Sequence, residues 1–297
     1  MAIQGGLGNQ LSQWYFAHTI SVHSRFRIDP LYKMTVVGLR NFELQPLIEK
    51  CSHLEYRMGQ NFLSPPIKFY YRVLDSLWEF SSLRRFVESL GYFREDPRFD
   101  QIQSARNSRI TKYAKGYFQK QDEIDKVFSF VEIELLPLLG GILNTIRQRL
   151  QLGSSYTVLH VRRGDYKVDE FTPIHIGILS DEYFRRALKS MDTSNLILLT
   201  ENREDVADLV KVLSPRLVLD KADTTPWETL AIMYGASQFL GANSSLSWWG
   251  ARLCSAKGGQ VWLPSQWSYW KNIDASDYHF PGSNIANVHW VQDNHLS

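Results

Sequence analysis

Val158-Leu159-His160-Val161-Arg162-Arg163-Gly164-Asp165-Tyr166 decides how the rest of the chain is read. An apolar, β-branched run ends abruptly in two arginines, a glycine and an aspartate. Such a run reads as a buried strand that delivers its charges at its C-terminal end. Two adjacent guanidinium groups there suit an anion, and a diphosphate best. Each offers a planar fork of donors and keeps its charge when desolvated. Gly164 permits a tight turn or a close backbone approach. Asp165 can hold an arginine or accept bonds from a ligand. A strand end with a surface ion pair explains the same letters, so the neighbouring stretches must decide.

Outward from this run the pattern is regular. Strands are expected at Tyr156–Val161, Leu196–Thr200, Arg216–Leu219, Gln238–Gly241 and Gln260–Leu263. Helices are expected between them at Asp181–Met191, Glu204–Leu213, Pro226–Gly235 and Ser244–Cys254. Ser180, Asn202 and Thr225-Pro226 signal helix starts. Alternation on this scale means βαβ units and a parallel sheet. Ligands of such a sheet lie outside the carboxyl ends of the strands. The residues that follow successive strands are Arg162, Arg163 and Asp165; Glu201 and Asn202; Asp220 and Lys221; Asn243, Ser244 and Ser245; then Pro264, Ser265 and Trp267. A strand-end arginine pair and a serine-started helix on one edge make a coherent diphosphate site, because hydroxyls, free N–H groups and the helix dipole converge. Trp248-Trp249-Gly250-Ala251 reads as packing that lets a helix sit close to the sheet.

The chain opens on Met1-Ala2-Ile3-Gln4, a short strand, then Gly5-Gly6-Leu7-Gly8-Asn9-Gln10, with Asn9 as the expected N-cap of the helix that follows. Such a loop brings backbone N–H groups near a ligand. It lacks the third glycine of a dinucleotide fingerprint and the Gly-Lys-Ser/Thr of a P-loop, and a plain βα turn fits it equally. Phe26-Arg27-Ile28 and Thr111–Gln119 read as strands, and Asn41–Ile48 alternates. Phe69–Leu90 reads as helical and aromatic-rich: either its basic and aromatic residues face lipid headgroups, or it is a packed helix with solvated charges. Glu123–Gln151 reads as a helix interrupted near Pro137 and Gly140-Gly141. That glycine pair, or Gly153-Ser154-Ser155, is the expected boundary zone; taken at the latter it gives domains 1–153 and 154–297.

Composition narrows the class. The 297 residues suffice for two domains, and 44% hydrophobic content supplies real cores. A formal net charge of +2 gives no basic footprint for nucleic acid. Cys51 and Cys254 stand in unrelated contexts, which predicts neither disulfide framework nor zinc site and points to a reducing compartment. No leader precedes Gly5 and no apolar run nears the roughly 20 residues of a bilayer span, so a cytoplasmic protein, or one peripheral to a membrane face, is expected.

The Gly5–Gln10 loop, His160–Tyr166 and Ala242-Asn243-Ser244-Ser245-Leu246-Ser247-Trp248-Trp249-Gly250-Ala251, in this order, resemble the bacterial α-1,2-fucosyltransferase family, glycosyltransferase family 11. Gly116-Tyr117-Phe118-Gln119, Glu182-Tyr183-Phe184 and Trp262–Trp267 support the resemblance, which spans nearly the whole chain. It implies an α/β, GT-B architecture of two Rossmann-like domains facing a cleft, with a last helix able to return to the first domain. It implies inverting transfer of L-fucose from GDP-fucose, without a metal or other cofactor, to the 2-hydroxyl of a terminal galactose. The acceptor implied is an oligosaccharide or glycolipid of the O-antigen kind. Carried over residue by residue, Arg162 holds the diphosphate, and Arg163 and Asp165 organise the turn or contact the nucleotide. Asn243, Ser244 and Ser245 line the nucleotide, and Gly6, Gly8, Asn9 and Gln10 approach the sugar. His160 and Glu201 complete the expected site. The family's usual residues differ at Leu11-Ser12, Thr200-Glu201-Asn202 and Ser244-Ser245-Leu246.

Independent chemistry agrees in one respect. No Asp-x-Asp stands at a strand end, so protein cations must stabilise a departing diphosphate, the task a magnesium ion performs elsewhere. Asp165, Glu201 and Glu228 are the carboxylates available as a base, and His160 reads as a buried strand histidine. Two other readings remain at this point: a GT-B enzyme with another donor or linkage, and a non-catalytic nucleotide- or glycan-binding protein.

Overall fold

A computed structural model describes residues 2–3, 5–20, 29–30, 41–50, 65–94, 113–119, 121–125, 128–167, 176–269 and 275–291. Two compact units divide the chain, 1–134 and 135–297. No described helix is long and apolar enough to cross a membrane.

The first unit holds two small parallel pairs, β1 (Ala2–Ile3) with β2 (Asp29–Pro30) and β3 (Tyr92–Arg94) with β4 (Tyr113–Lys115). Its described helices are α1 (Leu7–Ile20), α2 (Gln45–Lys50), α3 (Pro65–Trp78), α4 (Arg84–Ser89) and α5 (Gln121–Asp125). The strand expected at 26–28 lies outside the described residues. The alternation at Asn41–Ile48 is not a strand: residues 41–44 are irregular and α2 follows. Leu44 and Leu47, three apart, are the buried pair there, which is helical spacing.

The second unit is a six-stranded, all-parallel sheet: β5 (Thr157–His160), β6 (Leu196–Leu199), β7 (Leu217–Leu219), β8 (Gln238–Leu240), β9 (Gln260–Pro264) and β10 (Ser283–Ala286). Helices α6 (Leu136–Leu150), α7 (Asp181–Leu188), α8 (Ala207–Leu213), α9 (Pro226–Gly235) and α10 (Ser245–Ala256) surround it. Strand order is β10-β9-β8-β5-β6-β7. From β5 the chain winds outward through β6 and β7, then crosses back to β8 on the other side. The strand order therefore reverses between β5 and β8.

Every residue of β5 and β6 is buried, which is why these strands read as continuous apolar runs. Leu159, Leu196, Leu198 and Leu240 pack with Tyr183, Phe184 and Leu188 of α7 and Leu209 of α8. Val158, Ile197 and Phe239 alternate to the opposite face and are equally buried. There α9 lies between α6 and α10. A Cβ on Gly250 of α10 would run into Met233 of α9, and one on Gly235 into Leu143 of α6. The Trp248-Trp249-Gly250-Ala251 stretch is packing, as expected, with Trp249 and Ala251 fully buried.

Two readings are corrected here. The unit boundary falls at 134/135, because α6 belongs to the second unit: its Arg149 pairs with Glu228 of α9 at 3.0 Å. Gly140-Gly141 does not interrupt that helix; nothing lies within 4 Å of a Cβ built at either position, so the pair is merely tolerated there. The described chain ends on β10 and the segment 287–291, which bridges back through Leu179 and Trp290; the expected last helix lies outside the described residues.

Candidate active site

The reversal between β5 and β8 is where open parallel sheets bind ligands. Both flanks carry the expected residues. Beyond the end of β5, Val161 N–H still bonds to Leu199 at 2.8 Å, and the chain then leaves the sheet at Arg162. Beyond β8, Gly241 N–H bonds to Trp262 at 3.0 Å, and Ala242-Asn243-Ser244 lead into α10.

Arg162 and Arg163 take opposite roles. Arg162 is partly open, donates to Glu201 Oε1 at 2.6 Å, and lies 5.6 Å from the ring centre of Tyr166. Arg163 is 8% exposed and serves the protein itself. It donates to the Asp205 carbonyl at 3.0 Å, the Leu179 carbonyl at 3.0 Å and Asp181 Oδ1 at 2.6 Å. These bonds tie Arg163 to the β6 loop and to the start of α7. Gly164 is required by crowding: a Cβ there would collide with Glu201 Oε2 and crowd Asn202. Asp165 lies in the short 3-10 turn Asp165–Lys167, and its side chain lies outside the described residues.

Across the reversal, Ser244 caps α10, its hydroxyl accepting from Ser247 N–H at 3.1 Å. Ser245 opens the helix, where first-turn N–H groups have no intrahelical carbonyl and the dipole favours an anion. Asn243 is buried; its Nδ2 donates to the Ile176 and Gly177 carbonyls, both at 3.2 Å. Among the described residues its Oδ1 is buried and has no hydrogen-bond partner.

His160 sits beneath this cluster, 3% exposed, with Nδ1 2.5 Å from Ser247 Oγ. Ser247 Oγ already accepts from Ala242 N–H at 2.9 Å. Burial, reinforced by the Arg162 charge, lowers the His160 pKa to about 3. The ring is neutral and ties the β5 end to the start of α10; it is neither a cation for phosphate nor a base.

Tyr166 is the residue that sequence reasoning left without a role. Its ring faces the Arg162 guanidinium, and its hydroxyl donates to the Asn243 carbonyl at 3.0 Å. It thus joins the two flanks. An aromatic three residues past the arginine pair was the available signal, but only the fold brings Asn243 to it. Of the carboxylates expected as bases, Glu201 is ion-paired to Arg162. Glu228 closes a capping box with Thr225 and pairs with Arg149. A separate depression of about 580 Å³ beside Arg163, Lys167 and α7 presents cations already paired, Arg163 to Asp181, Lys167 to Asp205, and Arg185 and Arg186 to Glu182.

In the first unit, Asn9 is not the N-cap. Helix α1 begins at Leu7, and Asn9 Oδ1 accepts from Gln119 Nε2 at 2.5 Å. Gly5 adopts φ +78° and passes so close to Asn9 that a Cβ would collide with it. Gln10 is 1% exposed and fully engaged: Nε2 donates to the Gly5 and Asn41 carbonyls, both at 2.8 Å, and Oε1 accepts from Glu43 N–H at 2.9 Å. Gly6 accepts Gln10 N–H at 3.0 Å, and Gly8 is buried within the helix. The Gly116–Gln119 stretch docks on α1: Gln13 donates to the Gly116 carbonyl at 2.8 Å, and Phe118, at φ +51°, stacks on Phe16 with centroids 3.7 Å apart. A non-glycine residue in that left-handed region persists only where its surroundings enforce it.

A family model described as Glycosyl transferase family 11 matches residues 2–277. No curated protein matches the chain. Similar solved structures include the fucosyltransferase NodZ from Bradyrhizobium, 12% identical with a TM-score of 0.49, over 84% of this chain and 89% of that one. The heptosyltransferase WaaC from E. coli, determined with ADP, is 10% identical with a TM-score of 0.46, over 96% and 92%. A glycosyl transferase of family 9 from Veillonella parvula is 9% identical with a TM-score of 0.46, over 99% and 89%.

Proposed function

We propose that this chain, which belongs to glycosyl transferase family 11, moves L-fucose from GDP-fucose to the 2-hydroxyl of a terminal galactose, inverting the anomeric carbon. The carrying observation is the pair of anion-favouring features flanking the strand reversal: Arg162 after β5 and the serine-capped start of α10 after β8. In this reading the galactose oxygen attacks the fucose anomeric carbon as its bond to the β-phosphate oxygen breaks. Negative charge then grows on the leaving GDP. Arg162 and the first-turn N–H groups of α10 meet that charge already oriented. Asn243 Oδ1, buried and unmatched, is an acceptor for a donor group of the nucleotide.

In the same reading Glu201 holds Arg162 in place until the diphosphate competes for it. Protein cations take the part of a divalent ion, so transfer needs no metal. The second unit takes the donor and the first the acceptor, and the protein works in the cytoplasm.

The test is a GDP-release assay with GDP-fucose, EDTA present, across lactose, N-acetyllactosamine and Gal-β1,3-GalNAc, with GDP-mannose and UDP-sugars as control donors. Replacing Arg162 with Ala removes one oriented donor and is expected to lower kcat by about 10²–10³-fold. Near-normal turnover in that variant, or activity abolished by EDTA, would refute the proposal.

A further inference from the structure

We propose that the outer face of α3 and α4 docks on a membrane surface bearing anionic lipid headgroups. Among the described residues, ten large hydrophobic side chains stand exposed, and six of them fall within one short stretch: Phe69, Tyr70, Val73, Phe80, Leu83 and Phe86. Phe69, Phe80 and Phe86 are 69%, 61% and 56% exposed. The opposite face is already used: Leu74 and Trp78 pack with Val87 and Tyr92 in a small core. A surface helix ordinarily turns polar residues outward. This one is apolar inside and substantially apolar outside, so its outer face is built to be covered.

Charge on the same stretch selects what covers it. The acidic residues Asp75 and Glu79 are matched internally: Asp75 accepts from Tyr92 Oη at 2.5 Å and lies 3.7 Å from Arg94, which also bonds to Glu79. Arg84 folds back, 5.9 Å from the Trp78 ring centre, and donates to the Trp78 carbonyl at 3.1 Å. Arg72 and Arg85 are exposed; Glu88, three residues on from Arg85 in α4, feels the charges of Arg85 and Arg84, and no ion pair engages Arg72 among the described residues. Exposed rings flanked by exposed arginines match a headgroup interface, where rings enter the acyl boundary and cations meet anionic lipid. A second copy is a poor occupant, because a two-fold contact apposes the same patch on both molecules and brings like charges together. The inference stands apart from the transfer reaction and uses no residue of its site.

Vesicle sedimentation of the full chain tests it. The protein should pellet with vesicles of phosphatidylcholine and phosphatidylglycerol in equal parts, and remain in the supernatant with phosphatidylcholine alone. Arg72→Gln/Arg85→Gln should weaken partitioning by about 30-fold, and Phe69→Ser/Phe80→Ser/Phe86→Ser should abolish it. Both variants should keep the parent's Tm, since these side chains are outside the core. Absent pelleting, equal pelleting with neutral vesicles, or pelleting unchanged in both variants overturns the proposal. So does a dimer that the serine variant dissolves in a protein that ignores vesicles, because the face would then belong to a second copy.

Discussion

The loop that leaves β1 and the loop that leaves β5 use similar materials, glycine beside strong hydrogen-bonding side chains, to opposite ends. After β1, the polar groups turn inward. Gln10 satisfies two carbonyls and one N–H, and Asn9 is engaged by Gln119. After β5, the two arginines divide. Arg163 repeats the Gln10 pattern with two carbonyls and a carboxylate, whereas the partners described for Arg162 include the Glu201 carboxylate and the face of the Tyr166 ring. Backbone carbonyls do not leave when a ligand arrives; a carboxylate side chain and a ring can. The two arginines thus differ in the kind of partner described for each, a difference that variants can probe.

Breaking that contrast should show first at Arg163. Arg163→Ala leaves two backbone carbonyls without their donor and removes the partner of a partly exposed Asp181, for about 3 kcal/mol in all. Thermal unfolding should show a Tm lower by roughly 10 °C. A variant with full Tm and weakened GDP binding would exchange the roles assigned to the two arginines. Gln10→Leu is the parallel test in the first loop. It leaves Glu43 N–H without its acceptor and two carbonyls without a donor, for about 2 kcal/mol by denaturant titration. GDP affinity of the second unit should be unchanged; a large loss of affinity would mean Gln10 meets substrate. Tyr166→Phe is the mildest. Losing the hydroxyl removes one hydrogen bond, about 1 kcal/mol, while keeping the ring over Arg162. The expected result is a KM for GDP-fucose raised about fivefold with little change in Tm. Equal KM values would show that the two flanks of the site hold their places without it.

Much of the second unit was readable because a parallel strand buried on both faces leaves an unbroken apolar word. Leu196–Leu199 and Pro226–Gly235 fall where expected, the latter fixed by Thr225, Pro226 and Glu228 at the helix start. Strand β10 was not readable: Ser283-Asn284-Ile285-Ala286 is an edge strand with a single branched aliphatic, and Ile285 is exposed. Gly140-Gly141 misled because glycine marks a break in isolation, whereas α6 is held by its packing on α9. In the site, Arg162, Ser244 and Ser245 stood at strand ends and helix starts, which local pattern reveals. The division of labour between Arg162 and Arg163, and the link through Tyr166, depend on which carbonyls and carboxylates the fold delivers, and no local pattern carries that.

Gly164 and Glu201 occupy one space, since the carboxylate fills the volume that a side chain at 164 would need. The two positions are consequently free to change only together. Substituting 164 alone should dislodge the acid from its arginine, whereas shortening residue 201 first should open room for alanine. A redesign that seeks to retune the diphosphate-facing arginine has to treat this pair as a single two-letter choice.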